Sequence, residues 1–347
     1  SDRPLPDADY IIRHPLPRGL STNAMLETFG SAMDEFDACQ RSAALFDYSF
    51  LLRLRVEGVQ AVEAVSNLCQ RDFSSLSVGA VRYALYASED GQLVSDLTVW
   101  QIGPETLDIM SGRAADAQEI AVALATYDVS VFDLSDQTAV LALQGPATDA
   151  CLGQLVDQDK ISKIPSFGFR ELDIVGVCCI VGRLGFTGLD GVEILCVPDD
   201  ASRLWRLLAH RARPAGFVAA DMLRLKAGFL LFSQEFAPPV TVADIGLSRI
   251  WGSANNQTEF FEPQVARVLF SAQWADNAPP ALSDLLWKDG DAFPPPVDTV
   301  AVTSIQNDPT TEDLIGMGYI SVRNKSNQLT SMTGFLKDIR LIQVFEG

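Results

Sequence analysis

The order of apolar patterns predicts an α+β fold: two related α+β lobes forming a core, followed by a small β-barrel-like domain. Three observations carry this. A strand–helix–strand–strand–helix order runs roughly twice between residues 40 and 250. The Asp90-Gly91 pair between two apolar runs marks a hairpin inside the first copy. Beyond about residue 250, helical spacing gives way to short strand-like runs set apart by prolines. These place a core at 1–250, with lobes at about 40–128 and 129–250, and an all-β domain at 251–347.

Residues 22–45 have helical spacing around Met25, Leu26, Phe29 and Met33, after a polar, proline-rich arm that includes His14. Leu52-Arg53-Leu54-Arg55-Val56 alternates as a half-buried strand does, and Glu57-Gly58 breaks it. Val59, Val62, Val65 and Cys69 then return at helical spacing. In the hairpin over Val81–Trp100, a two-residue turn at Asp90-Gly91 would pair Ala84 with Leu97 and Leu85 with Asp96. A strand at Thr106–Met110 and an Ala-rich helix at Ala114–Ala125 complete the first lobe. The second opens with the strand Ala139–Leu143, ended by Gln144-Gly145-Pro146, a turn into a helix start. Strands at Phe169–Val175 and Cys178–Arg183 follow, then a glycine-dense run and a helix bearing Leu204, Leu207 and Leu208. In the last domain, strands are expected at Thr299–Ile305, Met317–Val322 and Ile339–Phe345, between Ala278-Pro279-Pro280 and Pro294-Pro295-Pro296. Asn-x-Ser/Thr triplets at Asn256 and Asn324 are taken as chance.

With 48% hydrophobic and 20% charged residues, the 347-residue chain has the composition of a folded globular protein. Its 26 basic against 45 acidic residues leave −19, a field that repels phosphate backbones and anionic lipid, so nucleic acid and membranes are not expected partners. The apolar runs are too short to span a bilayer. Cys39, Cys69, Cys151, Cys178, Cys179 and Cys196 lack metal-ligand spacing and mostly lie in apolar segments, as reduced thiols in a cytoplasmic protein do. His14 and His210 have no ligand-spaced partner, so neither a metal nor a His-based triad is expected.

Three positions invite chemistry. Asp96 is a lone carboxylate on a largely apolar strand face, with Tyr83 as a diagonal cross-strand neighbour; the competing reading is a solvated acid at a strand edge. Glu193 interrupts Val192-Glu193-Ile194-Leu195, and a buried carboxylate needs donors. The edge of a pterin, with a ring N–H and an exocyclic NH₂, offers two in parallel. The preceding Gly182–Gly191 run permits either a tight hairpin or close approach of backbone to a flat ligand, and has no phosphate-loop lysine. Arg224 either binds a ligand group or pairs with Glu193 or Asp221.

Together these segments resemble the folate-binding T-protein family, the glycine-cleavage aminomethyltransferase and its tetrahydrofolate-dependent demethylase relatives. The likeness rests on Ala44-Leu45-Phe46-Asp47-Tyr48-Ser49, on Arg82-Tyr83 with Asp90-Gly91 and Asp96-Leu97, and on Leu143-Gln144-Gly145-Pro146. It continues through Gly185-Phe186-Thr187-Gly188 with Asp190-Gly191-Val192-Glu193-Ile194, Pro214-Ala215-Gly216, Leu223-Arg224-Leu225 with Ala227-Gly228, and Gln234-Glu235. It implies tetrahydrofolate as cofactor, Asp96 as the acid beside folate N5, Glu193 as the acid gripping the pterin, Arg224 as a folate contact, and Tyr83 and Phe186 as aromatic walls. The chain departs from the family at Tyr48, Phe50 and Leu51 (Asp-Val-Ser-His-Met in the family), at Ser111–Ala114 (Asn-Ala-x-Asn), and at Leu189 and Ala219-Ala220. These departures, with the charge, lead to the expectation of a methyltransferase (demethylase) that takes methyl from a small donor, either a sulfonium, a quaternary ammonium or a methoxy-aromatic. Asp96 and Tyr83 would be the catalytic pair, and a lipoyl carrier protein would not be a partner. The alternatives are a glycine-cleavage aminomethyltransferase and a non-catalytic folate-binding accessory protein.

Overall fold

A computed structural model describes residues 26–88, 90–252, 262–275, 281–324 and 328–345. The N-terminal arm with His14 and Met25, the triplet at Asn256 and the Pro279-Pro280 linker lie outside them.

The elements in order are α1 (Ala32–Arg41), β1 (Ala44–Asp47), β2 (Leu52–Glu57), α2 (Ala61–Cys69), β3 (Val81–Ala87), β4 (Leu93–Gly103), β5 (Thr106–Ser111), α3 (Asp116–Ala123), β6 (Ser130–Asp133), β7 (Ala139–Gln144), α4 (Thr148–Leu152), α5 (Gln158–Ser162), β8 (Phe169–Ile174), β9 (Val177–Gly182), β10 (Gly191–Cys196), α6 (Pro198–Ala209), β11 (Arg213–Pro214), α7 (Phe217–Lys226), α8 (Phe232–Glu235), β12 (Val265–Trp274), β13 (Thr299–Asn307), β14 (Leu314–Ser321), β15 (Thr330–Ser331) and β16 (Leu336–Phe345). The chain divides into two compact units: residues 1–68, 73–84 and 96–223 in one, and 69–72, 85–95 and 224–347 in the other.

The first unit contains a six-stranded sheet in the order β11-β1-β7-β10-β9-β8. One face, with Leu45, Leu141, Leu143, Val192 and Ile194, packs on Leu204, Trp205 and Leu208 of α6 and on Cys151, Leu152 and Ile161. The other carries Phe46, Ala142 and Leu195 and meets Phe36 and Cys39 of α1, Ala219–Leu223 of α7, and Trp100 and Met110. Trp100 and Met110 come from the second sheet, β3-β4-β5-β2-β6. The two halves of the sequence repeat trade strands: β1, from the start of the chain, lies between β11 and β7 in the first sheet, and β6 closes the edge of the second against β2.

Two local expectations need correction. The first helix starts at Ala32, because Ser31 caps it by accepting from Asp34 N–H, and Leu26 and Phe29 lie outside it. Phe29 stacks instead on Trp205, with ring centroids 5.5 Å apart, and its N–H donates to Glu35. The hairpin turn is not the expected two-residue one. Ser88 N–H donates to Gln92 C=O at 2.9 Å, and Gly91, at φ 81°, donates to Ser88 C=O.

In the second unit, five strands order as β15-β13-β14-β12-β16 around Val268, Phe270, Val300, Val302, Leu314 and Ile339. An antiparallel bridge from Leu329, beside β15, to Ile339 of β16 brings the two ends of the sheet together, which makes it barrel-like. Among the described residues, no helix is long and apolar enough to cross a membrane.

Candidate active site

The inner faces of the first unit's two sheets meet at Trp100. Register fixes which residues share each face. Phe46, Ala142, Glu193, Gly182 and Phe169 form one row across β1, β7, β10, β9 and β8. Arg55, Asp108 and Trp100 form a row across β2, β5 and β4, with Arg53, Met110 and Thr98 beside it. A Cβ at Gly182 would collide with the Trp100 indole, so the absence of a side chain there lets Trp100 lie against the row that carries Glu193. Trp100 also tilts against Phe169, centroids 5.2 Å apart, and its indole N–H donates to Thr98 Oγ1 at 3.0 Å.

Asp96 follows the same alternation along β4 as Thr98 and Trp100, about 13 Å of strand before the indole. It is half-buried, and Tyr83 Oη donates to its Oδ2 at 3.2 Å. The structure thus joins Asp96 and Tyr83 and turns them toward the same inter-sheet side as Glu193.

Glu193 is 7% exposed. Burial alone pushes its carboxyl up from an ordinary 4.5 to about 7. Among the described residues, that carboxylate has no hydrogen-bond or ion-pair partner. Its surroundings are apolar: Phe46, Tyr48, Phe50, Trp100 and Ala142, with half-buried Leu184, Phe186 and Leu189 packed on the cluster.

The glycine-dense run owes little to a ligand. Its organiser is Gln144, fully buried, whose side-chain amide donates to Leu184 C=O and Val192 C=O and accepts from Thr187 Oγ1 at 2.9 Å. A Cβ at Gly185 or at Gly191 would overlap that amide, and of these glycines only Gly188 needs a positive φ. Gln144 thereby sets the loop that delivers Phe186 and Glu193. The sequence signal for it was a polar residue ending the wholly buried strand β7.

Arg224 lies in the second unit, fully buried. It donates to Glu235 at 2.8 Å, to Phe229 C=O and to Ser304 Oγ. Glu235 also accepts from Leu231 N–H, Thr303 and Ser304. Donors this committed to a buried acid hold structure. The buried thiols of Cys39, Cys69 and Cys196 are pushed up to about 12 by burial, which leaves them protonated and inert. Among the described residues, no group of three or more His, Cys, Asp or Glu is placed to hold a metal.

Residues 18–253 match the family model described as the GCVT N-terminal domain. The chain belongs to the GCVT family. An aminomethyltransferase of Thermotoga petrophila is 33% identical over 229 residues, 63% of this chain and 62% of that protein. One from Geobacillus kaustophilus is 31% identical over 310 residues, 84% of this chain and 83% of that protein. The match to the Thermotoga relatives thus spans less than two thirds of their length. The fold is that of glycine cleavage system aminomethyltransferase T from Bartonella henselae, with TM-score 0.74 and 23% identity over 94% of this chain and 92% of that one.

For a GCVT member these names favour the glycine-cleavage alternative over the small methylated donor. The relatives are aminomethyltransferases, so the small methylated donor has no support from them, and neither does the exclusion of a lipoyl carrier. The segment Ser111–Ala114 forms a clamp onto α3. Arg113 pairs with Asp116 at 2.8 Å and Glu119 at 2.6 Å, and its N–H donates to Ser111 Oγ.

Proposed function

We propose that this chain performs folate-dependent one-carbon transfer of the aminomethyltransferase kind, with tetrahydrofolate as the acceptor, in the cytoplasm. The observation that carries this is Glu193: a buried, partnerless carboxylate among aromatic side chains, which suits the paired N–H donors of a pterin edge. When bound, tetrahydrofolate supplies a nucleophilic nitrogen that takes up the one-carbon unit. The pterin would be accommodated by the core of residues 1–250.

The protein's own contributions follow from placement. Glu193 binds and orients the pterin edge. Phe186, and the apolar cluster with Trp100, exclude water and cover the ring faces. Asp96 holds a proton or a positive charge near N5, and the Tyr83 hydroxyl fixes which way its carboxylate points. Alignment of donor and acceptor is the largest contribution, on the order of 7–11 kcal/mol. Arg224 is left to the structure of the second unit.

A second reading, methyl transfer from a small sulfonium, ammonium or methoxy-aromatic donor, is favoured by Tyr48 and Phe50 replacing the family's Val and His, and by the Arg113 clamp. Mass spectrometry of tetrahydrofolate incubated with the protein separates the two. Aminomethyl-loaded lipoyl carrier should yield 5,10-methylenetetrahydrofolate, free carrier thiol and ammonia. Formation of 5-methyltetrahydrofolate from a methylated donor, with nothing from the carrier, would replace the first reading by the second. Since N–H donors favour the ionised acid, tetrahydrofolate should bind more tightly as pH rises through about 7.

A further inference from the structure

Within the same cluster as Glu193 lies a second polar group that the proposed function has not used. Tyr48 is 5% exposed, and its hydroxyl, buried, has no hydrogen-bond partner among the described residues. The residue is held firmly. Its N–H donates to Val140 C=O, and the neighbouring Ser49 hydroxyl accepts from Val140 N–H. Its ring stacks on Phe46, centroids 5.7 Å apart at 29°, and meets Phe50 edge-on at 5.9 Å. Phe46 shares the transverse row with Ala142 and Glu193, so two strand spacings, roughly 10 Å, separate the backbone of Phe46 from that of Glu193 on one face. The Glu193 charge lies close enough to push the phenol further above its ordinary range, on top of the larger effect of burial. A phenol so raised stays protonated at neutral pH and is a donor.

A phenylalanine would fill this space without burying an unmet hydroxyl, so packing gives no reason for the oxygen. The two partnerless groups are complementary in kind: a carboxylate accepts two hydrogen bonds side by side, and a hydroxyl donates one. A 2-amino-4-oxopyrimidine edge presents the matching order, with amino N–H, ring N–H, then carbonyl oxygen. Resting on the folate reading above, we infer that Tyr48 is a specificity-determining residue that donates to the 4-oxo group of the pterin while Glu193 takes its two N–H groups. The pair would thereby select 4-oxo over 4-amino pteridines.

The test compares full-length wild type with Tyr48→Phe, titrating each with tetrahydrofolate and with a 2,4-diaminopteridine analogue, and following thermal unfolding without ligand. Tyr48→Phe should weaken tetrahydrofolate roughly three- to tenfold, leave the diamino analogue within about twofold, and leave the melting temperature unchanged or higher. Unchanged affinity for tetrahydrofolate would overturn the inference, as would an equal loss for both ligands or a lower melting temperature, each the mark of a structural hydroxyl. In any of these cases tetrahydrofolate binding by the wild type would keep the folate reading intact. A wild type that binds neither ligand would overturn both.

Discussion

Two buried carboxylates stand on the facing sheets of the first unit and differ in what they touch. Asp108, 2% exposed, is gripped by Arg53 and Arg55, each at 2.7 Å in its closest contact. Glu193, 7% exposed, has no such partner among the described residues, and its carboxyl is driven up to about 7. An acid whose charge is met inside the protein holds two strands together. One whose charge is unmet costs the fold stability, and such a residue is explained by what it does for a ligand. Glu35 belongs with Asp108: fully buried, it accepts from the Thr28 hydroxyl and from the Phe29 and Gly216 N–H groups.

That contrast can be broken at four places. Asp108→Ala leaves two arginines facing each other without their acid and should cost about 3–4 kcal/mol in denaturant unfolding. Glu193→Gln should do the reverse. Because the native acid titrates near 7 and the unfolded one near 4.5, the folded state binds the extra proton between those values, and stability falls as pH rises through that window. The variant should therefore gain up to about 3 kcal/mol over wild type at pH 8 and nothing below pH about 4.5, while losing affinity for tetrahydrofolate. Asp96→Ala should lower kcat about a hundredfold with tetrahydrofolate binding largely kept, and a fully active variant would remove Asp96 from the chemistry. Gly185→Ala should cost about 2 kcal/mol through collision with Gln144, and Gln144→Ala in the same chain should restore part of it.

Where one residue's type settled its environment, the sequence was legible. Alternation in Leu52–Val56 became β2, with burial alternating along it, and the polar break at Glu193 in an apolar run marked a buried acid. Errors arose where partners distant in sequence decide. Leu26 and Phe29 match helical spacing, yet Phe29 belongs to Trp205 and the helix waits for its Ser31 cap. Glycines that suggested a ligand loop answer instead to Trp100 and to the Gln144 amide. Arg224 pairs with Glu235, eleven residues on, a partner its own segment did not suggest. The Tyr48 hydroxyl was not legible, because a tyrosine in an apolar run reads as core until its oxygen is seen without a partner. The donor was the least legible feature, since no residue type or spacing in the chain specifies it.

The claim beneath all of this is that the Glu193 carboxylate is held ready for donors that the protein itself does not provide. Carbon NMR of that carboxylate across pH, with and without tetrahydrofolate, reads it directly. The ligand-free protein should titrate at about 7, and saturation with tetrahydrofolate should carry the midpoint down toward or below 4.5. A ligand-free midpoint already near 4.5, or one that tetrahydrofolate leaves in place, would contradict it.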